Sequence, residues 1–366
     1  MDRFQYKPLD PNSNHIRLLR FSDKLDSQSG YTLDSFDLNE CPPYEALSYT
    51  WGPPIPTSII TLNEKPFEIR QNLSDFLERI RIGITLLDKH DCPLLHPQYL
   101  WIDQLCINQS SEKEKSHQVR RMAEIYKQAQ RVIVWLGRGD EESGTAMQLI
   151  ADTWFVDELA TEIYPPTFPD IVLWLALHNE QQDYLDGLLK DCHTVENLLR
   201  QPYWNRLWVV QEFVLARDIV LACGPCAITL AAIRRLRFIS CLPSWFGYRQ
   251  GNFVAIPKPV RNLLDARRDR FNGKTFILPD LHLIALLRDF STRKCEDPRD
   301  RVYGLLALCN DKVDIIVDYS KPTDVIFREI FTKLIYFNGY DEEWFVQLAK
   351  DMGVKQKRPA PSGSWH

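Results

Sequence analysis

The sequence predicts an α/β fold: a parallel sheet flanked by helices, with a helical insertion at 139–200 and a mainly helical C-terminal part. Three observations carry this. Short apolar, β-prone runs end at Gly or Pro; stretches with apolar residues at helical spacing lie between them; and the connections are short. Strand, helix, strand in this order forms a parallel sheet through right-handed crossovers.

Each element has its own signal. EALSYTWG (45–52) reads as the first core strand, stopped by Gly52, Pro53 and Pro54. SIITLNEKPFEIR (58–70) alternates about Asn63 and Glu64 as a hairpin does, and NLSDFLERIRI (72–82) reads as a helix. YLWIDQLCIN (99–108) reads as a second buried strand. Ser111 with Glu114 spells a capping box ahead of a helix whose Val119, Met122, Tyr126 and Ala129 share a face. RVIVWLG (131–137) is a further buried strand. Residues 139–200 lack strand signals, WNRLWVVQEFVLAR (204–217) reads as one apolar helix, and DIVLACG (218–224) as a strand. The expected division is 1–240 for the α/β domain with its insertion, 241–350 for a helical extension, and 351–366 for a disordered tail that includes KQKRPAPSGSWH (355–366).

Composition bounds the function. The chain has 366 residues, 45% hydrophobic, with 10 Trp, 14 Tyr and 18 Phe, enough for a large aromatic core without disulfides. A net charge of −5 argues against a nucleic-acid partner. No leader-like apolar run and no span of membrane length is visible, so the expected location is the cytoplasm, with no membrane partner. Nine scattered Cys read as reduced thiols, and no His/Cys cluster has metal-ligand spacing, so no metal is expected. Dinucleotide-binding and P-loop glycine patterns are absent.

Glu212 is the most unusual carboxylate. Trp204, Trp208 and Glu212 are spaced by four, which would stack them on one helical face among apolar neighbours. Burial would raise the pKa of Glu212 and make it a functional candidate; a Glu paired with Arg206 or Arg217 is equally compatible with the spacing. Tyr49, Thr50, Trp51 and Gly52 at the end of the first strand, with Asp103, Asn108 and Gln109 around the second, outline a pocket rim, since open α/β sheets bind ligands beyond their carboxyl ends. Taken singly, Trp51 as core and Asn108 as a helix-entry residue are favoured. Asp297 to Arg301 reads as a structural ion-pair cluster. Cys223-Gly224-Pro225-Cys226 spells a dithiol string, but a turn between two strands explains it better, and a thiol oxidoreductase ranks last.

Three blocks together resemble the fungal heterokaryon-incompatibility (HET) domain: PPYEALSYTWG (42–52), LWIDQLCINQSSEKEKSHQVRRMAEIYKQAQRVIVWLG (100–137) and YWNRLWVVQEFVLA (203–216). DPRDRVYGLLAL and VDYSKP are similar to the region that commonly follows it. The resemblance implies a fungal cell-death effector in self/non-self recognition, with a fold related to the Toll/interleukin-receptor (TIR) domain, a flavodoxin-like parallel sheet. It also implies a glutamate that cleaves NAD between nicotinamide and ribose, NAD being a substrate and no cofactor being expected. Trp208 to Glu212 matches the W-x-x-x-E spacing of enzymatic TIR domains. Glu212 would then be catalytic, and Trp208, Tyr49, Trp51, Gly52, Asp103 and Asn108 would enclose the substrate. Self-association and a triggering protein partner follow by the same analogy. The alternative is a non-catalytic interaction module in which Glu212 and Trp208 hold the fold.

Overall fold

The computed structural model describes residues 3–21, 30–89, 91, 93–154, 191–239, 256–271, 282–309, 315–334 and 342–354. Most of the predicted insertion (155–190) and most of the predicted tail (355–366) lie outside the described residues. The fold is mixed α/β, with eleven strands in one sheet and twelve α-helices among the described residues. It divides into two compact units: residues 1–205 with 212–268, and residues 206–211 with 269–366.

The first unit holds the sheet. Its strands are β1 (His15–Phe21), β2 (Tyr31–Asp37), β3 (Glu45–Tyr49), β4 (Thr57–Leu62), β5 (Lys65–Arg70), β6 (Ile84–Leu86), β7 (Leu94–Leu95), β8 (Tyr99–Trp101), β9 (Arg131–Trp135), β10 (Ile219–Cys223) and β11 (Cys226–Thr229). They are ordered β5-β4-β2-β1-β8-β3-β9-β10-β11-β6-β7. The four central strands, β8, β3, β9 and β10, are parallel. β1 runs antiparallel to β2 and β8, and the β4/β5, β10/β11 and β6/β7 pairs are antiparallel. The expectation of a parallel sheet therefore holds at the centre and at the β2/β4 and β11/β6 contacts, while the other pairs are antiparallel. The β4/β5 and β10/β11 connections are two residues long, and so short a link can join only antiparallel neighbours. The EALSYTWG strand is central but third in the chain, since β1 and β2 precede it.

Burial follows the topology. All five residues of β10 and four of five in β9 are buried, as strands covered on both faces require. Each fully buried Val or Ile there contributes about 1.5–3 kcal/mol. The β4/β5 hairpin turns at Asn63 and Glu64, both at positive φ (47° and 64°), and Asn63 Oδ1 accepts from the Leu33 amide at 2.7 Å, which ties the turn to β2.

One predicted boundary moves. The second buried strand ends at Trp101, because residues Asp103–Cys106 form a helical turn (α2) in which the Cys106 amide donates to Ile102 O at 2.7 Å. Helix α3 (Glu112–Gln128) is capped by Ser111, whose hydroxyl accepts from the Glu114 amide. The Glu114 carboxylate does not complete the capping box. It takes two bonds from the buried Arg17 guanidinium of β1, at 2.6 and 3.1 Å, and one from the Asn108 amide. Helices α1 (Gln71–Ile82) and α4 (Glu141–Ala151) also belong to this unit.

The second unit is helical among its described residues. Its helices are Leu283–Phe290, Asp300–Leu306, Thr323–Leu334 and Glu342–Asp351, with Phe331 against Phe345. Residues 206–211 join them: Arg206 bridges Lys294, and the Leu207 amide donates to Lys294 O at 2.9 Å.

Candidate functional site

The helix predicted over 204–217 is shorter and broken. Residues Pro202–Asn205 form a 3-10 turn, and the α-helix runs only Val209–Leu215. The break has a local cause. The Leu207 amide, which would bond back along a continuous helix, is spent on Lys294 O. Trp204, Trp208 and Glu212 therefore do not share one helical face. Trp204 is fully buried in the first unit, where its indole donates to Leu198 O at 3.0 Å and its ring packs edge-on with Phe213. Trp208 belongs to the second unit, where its indole donates to Asp300 Oδ2 at 3.0 Å.

Glu212 lies in the first unit and is 2% exposed. The Ser48 hydroxyl of β3 donates to its Oε2, and Ser48 Oγ is also 2.7 Å from the Tyr203 hydroxyl. A buried carboxylate is tolerable only with such donors, because an unpaired buried charge costs several kcal/mol. The C-terminal end of its helix is held by Arg267, itself 2% exposed, whose guanidinium donates to Phe213 O (2.9 Å), Ala216 O (2.6 Å) and Arg217 O (3.0 Å). A cation among the last carbonyls of a helix satisfies orphan acceptors and the negative end of the dipole. Sequence reasoning missed Arg267, and nothing local could have found it, since 54 positions separate it from Phe213.

The strand-end residues form a separate cluster. Trp51 and Asp103 are brought together, with Trp51 Nε1 donating to Asp103 Oδ2 at 2.8 Å. The Tyr49 hydroxyl donates to Gln104 Oε1 at 2.9 Å. Gly52 has φ +77°, and its carbonyl accepts from Arg70 at 2.7 Å while the Arg70 guanidinium stacks 5.0 Å above the Trp51 ring. Adjacent residues of a strand point to opposite faces, so Ser48 directs Glu212 to one face of β3 and Tyr49 reaches Gln104 on the other. Asn108 is not at a strand end. Its side chain accepts from the Ser110 hydroxyl at 2.6 Å, and it leads into α3 as a helix-entry residue. Arg70 and Asn72, absent from the sequence reading, line the same end of the sheet. Asn72 Nδ2 donates to Thr50 O at 2.6 Å, and Asn72 Oδ1 accepts from Trp135 Nε1 at 3.1 Å.

The Cys223-Cys226 string is a hairpin turn. The two cysteines pair across β10 and β11, and both are free thiols. Burial pushes the Cys223 thiol up to about 11 despite a hydrogen bond with Ser143, and burial also raises Cys226. A dithiol oxidoreductase needs a lowered thiol pKa, the opposite shift. Among the described residues no group of three or more His, Cys, Asp or Glu could hold a metal, and no helix is long and apolar enough to cross a membrane.

In the second unit the charged turn at 297–301 is an interaction hub. Asp297 and Arg299 pair at 2.6 Å, and Arg299 also donates to Tyr319 O and Lys321 O. Asp300, 7% exposed, accepts from Trp208 and from the Tyr319 hydroxyl at 2.6 Å. Burial and the adjacent Asp300 charge hold the Tyr319 hydroxyl well above its usual pKa. Arg301 reaches Asp351 O, Arg293 O and Ser291 O, which binds three segments of this unit.

Comparison with known proteins gives two sequence matches. Residues 44–212 match the family described as heterokaryon incompatibility protein (HET). The chain is similar to heterokaryon incompatibility protein 6, OR allele, of Neurospora crassa: 28% identical over 372 residues, 88% of this chain and 51% of that protein. It thus spans about half the length of the curated relative it matches. No solved structure matches. The matched range ends on Glu212 and includes Ser48, Tyr49, Trp51, Asp103 and Trp208. Over residues 44–212 the chain is thus similar to the heterokaryon incompatibility domain.

Proposed function

We propose that the chain acts in heterokaryon incompatibility as a cell-death effector that hydrolyses NAD at the nicotinamide–ribose bond, with Glu212 as its essential carboxylate. The observation that carries the proposal is the placement of that group. It is a buried acid inside the family-matched range, oriented by a hydroxyl on a central parallel strand. Nicotinamide leaves as a neutral base: the C1′–N bond breaks with its electron pair going to nitrogen, water adds to C1′, and a proton is released. The transition state is oxocarbenium-like, and a carboxylate beside the ribose stabilises it. NAD or a related nucleotide is the substrate in this reading. The active form is a homo-oligomer triggered by a protein partner, both by analogy to TIR domains.

A second reading has a specific observation in its favour. Glu212 is 2% exposed and already accepts a hydrogen bond, which suits a residue that holds an interaction module together. Purified protein assayed for NAD consumption, wild type against Glu212→Gln, with melting curves, separates the two. Loss of activity by about 100-fold or more in a variant that melts like wild type supports catalysis. No consumption by wild type, with a clearly lowered melting temperature in Glu212→Gln, supports the module.

A further inference from the structure

We propose that the crevice between the carboxyl ends of β3 and β9 is a nucleotide-binding site, and that Arg70 receives the phosphates of its ligand. The ligand class rests on the nucleotide reading above; the location and the residue rest on geometry.

The location follows from topology. From β3 the chain crosses to β4 and β5 at one edge of the sheet, and from β9 the next strand, β10, lies on the other side. In open α/β sheets ligands bind where the direction of connection reverses, beyond the carboxyl ends of the strands. Hydrogen bonding marks the same place. The β9/β10 pairing continues past both strands, with Leu136 N donating to Ala222 O and Gly224 N to Gly137 O. The β3/β9 register ends at Tyr49 opposite Trp135, beyond which Asn72 bridges Thr50 O and the Trp135 indole.

The walls suit an anion. Gly52 and Gly137 hold φ of +77° and +114°, and a Cβ added at either would find only an atom of Asn72 within 4 Å, at 3.7 and 3.9 Å. The backbone there is accessible to close approach, which is how glycine turns admit phosphates. Arg70 supplies the charge. Of its five N–H donors, the described contacts use one, on Gly52 O, and no carboxylate among the described residues pairs with it. Stacking on Trp51, whose indole is fixed by Asp103, orients the guanidinium so that the fork remains available. Arg138, at the end of β9, is already paired with Asp75 at 2.7 Å and is not the phosphate ligand.

Calorimetric titration of the full chain with ADP, adenosine and inorganic pyrophosphate tests this without turnover. Wild type is expected to bind ADP at least about tenfold more tightly than adenosine, and pyrophosphate measurably. Arg70→Gln is expected to lower ADP affinity by about tenfold or more, the loss of one charged hydrogen-bonding partner, and to leave adenosine affinity unchanged. Arg70→Lys, which keeps the charge but loses the fork and much of the stacking, should fall between, and it decides the matter should the Gln variant not fold. ADP binding is read without turnover, so failure of the catalytic reading leaves the site standing. Equal affinity for ADP and adenosine, no binding of ADP at millimolar concentration, or wild-type ADP affinity in both Arg70 variants would overturn the proposal.

Discussion

Glu212 and Asp300 are both buried carboxylates, at 2% and 7% exposure, but different kinds of donor hold them. Asp300 accepts from the indole of Trp208 and the phenol of Tyr319, both borne on large rings packed within the second unit. An indole N–H has one direction and cannot accept, so that arrangement is fixed by packing. The Glu212 carboxylate takes one bond from Ser48, a small hydroxyl that rotates about one torsion and also faces Tyr203. A rotatable hydroxyl can release a carboxylate to a new partner at little cost; a packed indole cannot. Burial alone therefore does not distinguish the two carboxylates, whereas the kind of donor described at each does.

The largest expected effect breaks the structural member of the pair. Asp300→Ala leaves the Trp208 indole and the Tyr319 hydroxyl without their acceptor and should destabilise the protein by about 2–4 kcal/mol, read by denaturant unfolding. A loss within about 0.5 kcal/mol would mean that Asp300 is not the hub described. Ser48→Ala is the matching test on the other side. It should cost less, about 1–2 kcal/mol, while altering any NAD cleavage far more than that stability loss explains; a variant as active as wild type would remove Ser48 from the site. An effect confined to acid pH comes from a third carboxylate, the ion-paired Glu114. Burial pulls its pKa up, but the bonds from Arg17 and the Asn108 amide outweigh this, and the net shift is downward. Its contribution is therefore complete above the ordinary carboxylate pKa and is lost as pH falls through the lower folded value. Glu114→Gln should flatten the acid limb of the stability curve below about pH 4.5, and an unchanged limb would show the pair to be energetically silent.

What was legible in the sequence was local. The Asn63-Glu64 turn, the Ser111 cap and the β9 run each announce themselves within a few residues, and the structure has them in place. The strand end at Trp51 and the turn at Cys223 to Cys226 were legible for the same reason. What was missed depends on partners far along the chain. HIRLLRF lacks clean alternation and becomes a strand through pairing with β2 and β8. The helix expected over 204–217 breaks because Lys294, far downstream, takes the Leu207 amide. Asn108 was placed on a strand because apolar residues continue past Trp101, and a short apolar run does not distinguish a strand from a helical turn. In the candidate site, Glu212 was visible by its apolar surroundings, while Arg267, Arg70 and Ser48 were not, since each acts through a contact that only the fold creates.

Six residues, 206–211, belong to the second unit although the chain on either side of them belongs to the first. A recombination event between alleles with a single crossover after residue 212 would therefore bring Trp208 from one parent and Asp300, 92 positions on, from the other. Such a chimera inherits one half of a matched pair, so the two chain segments that build the second unit must be inherited together to keep it.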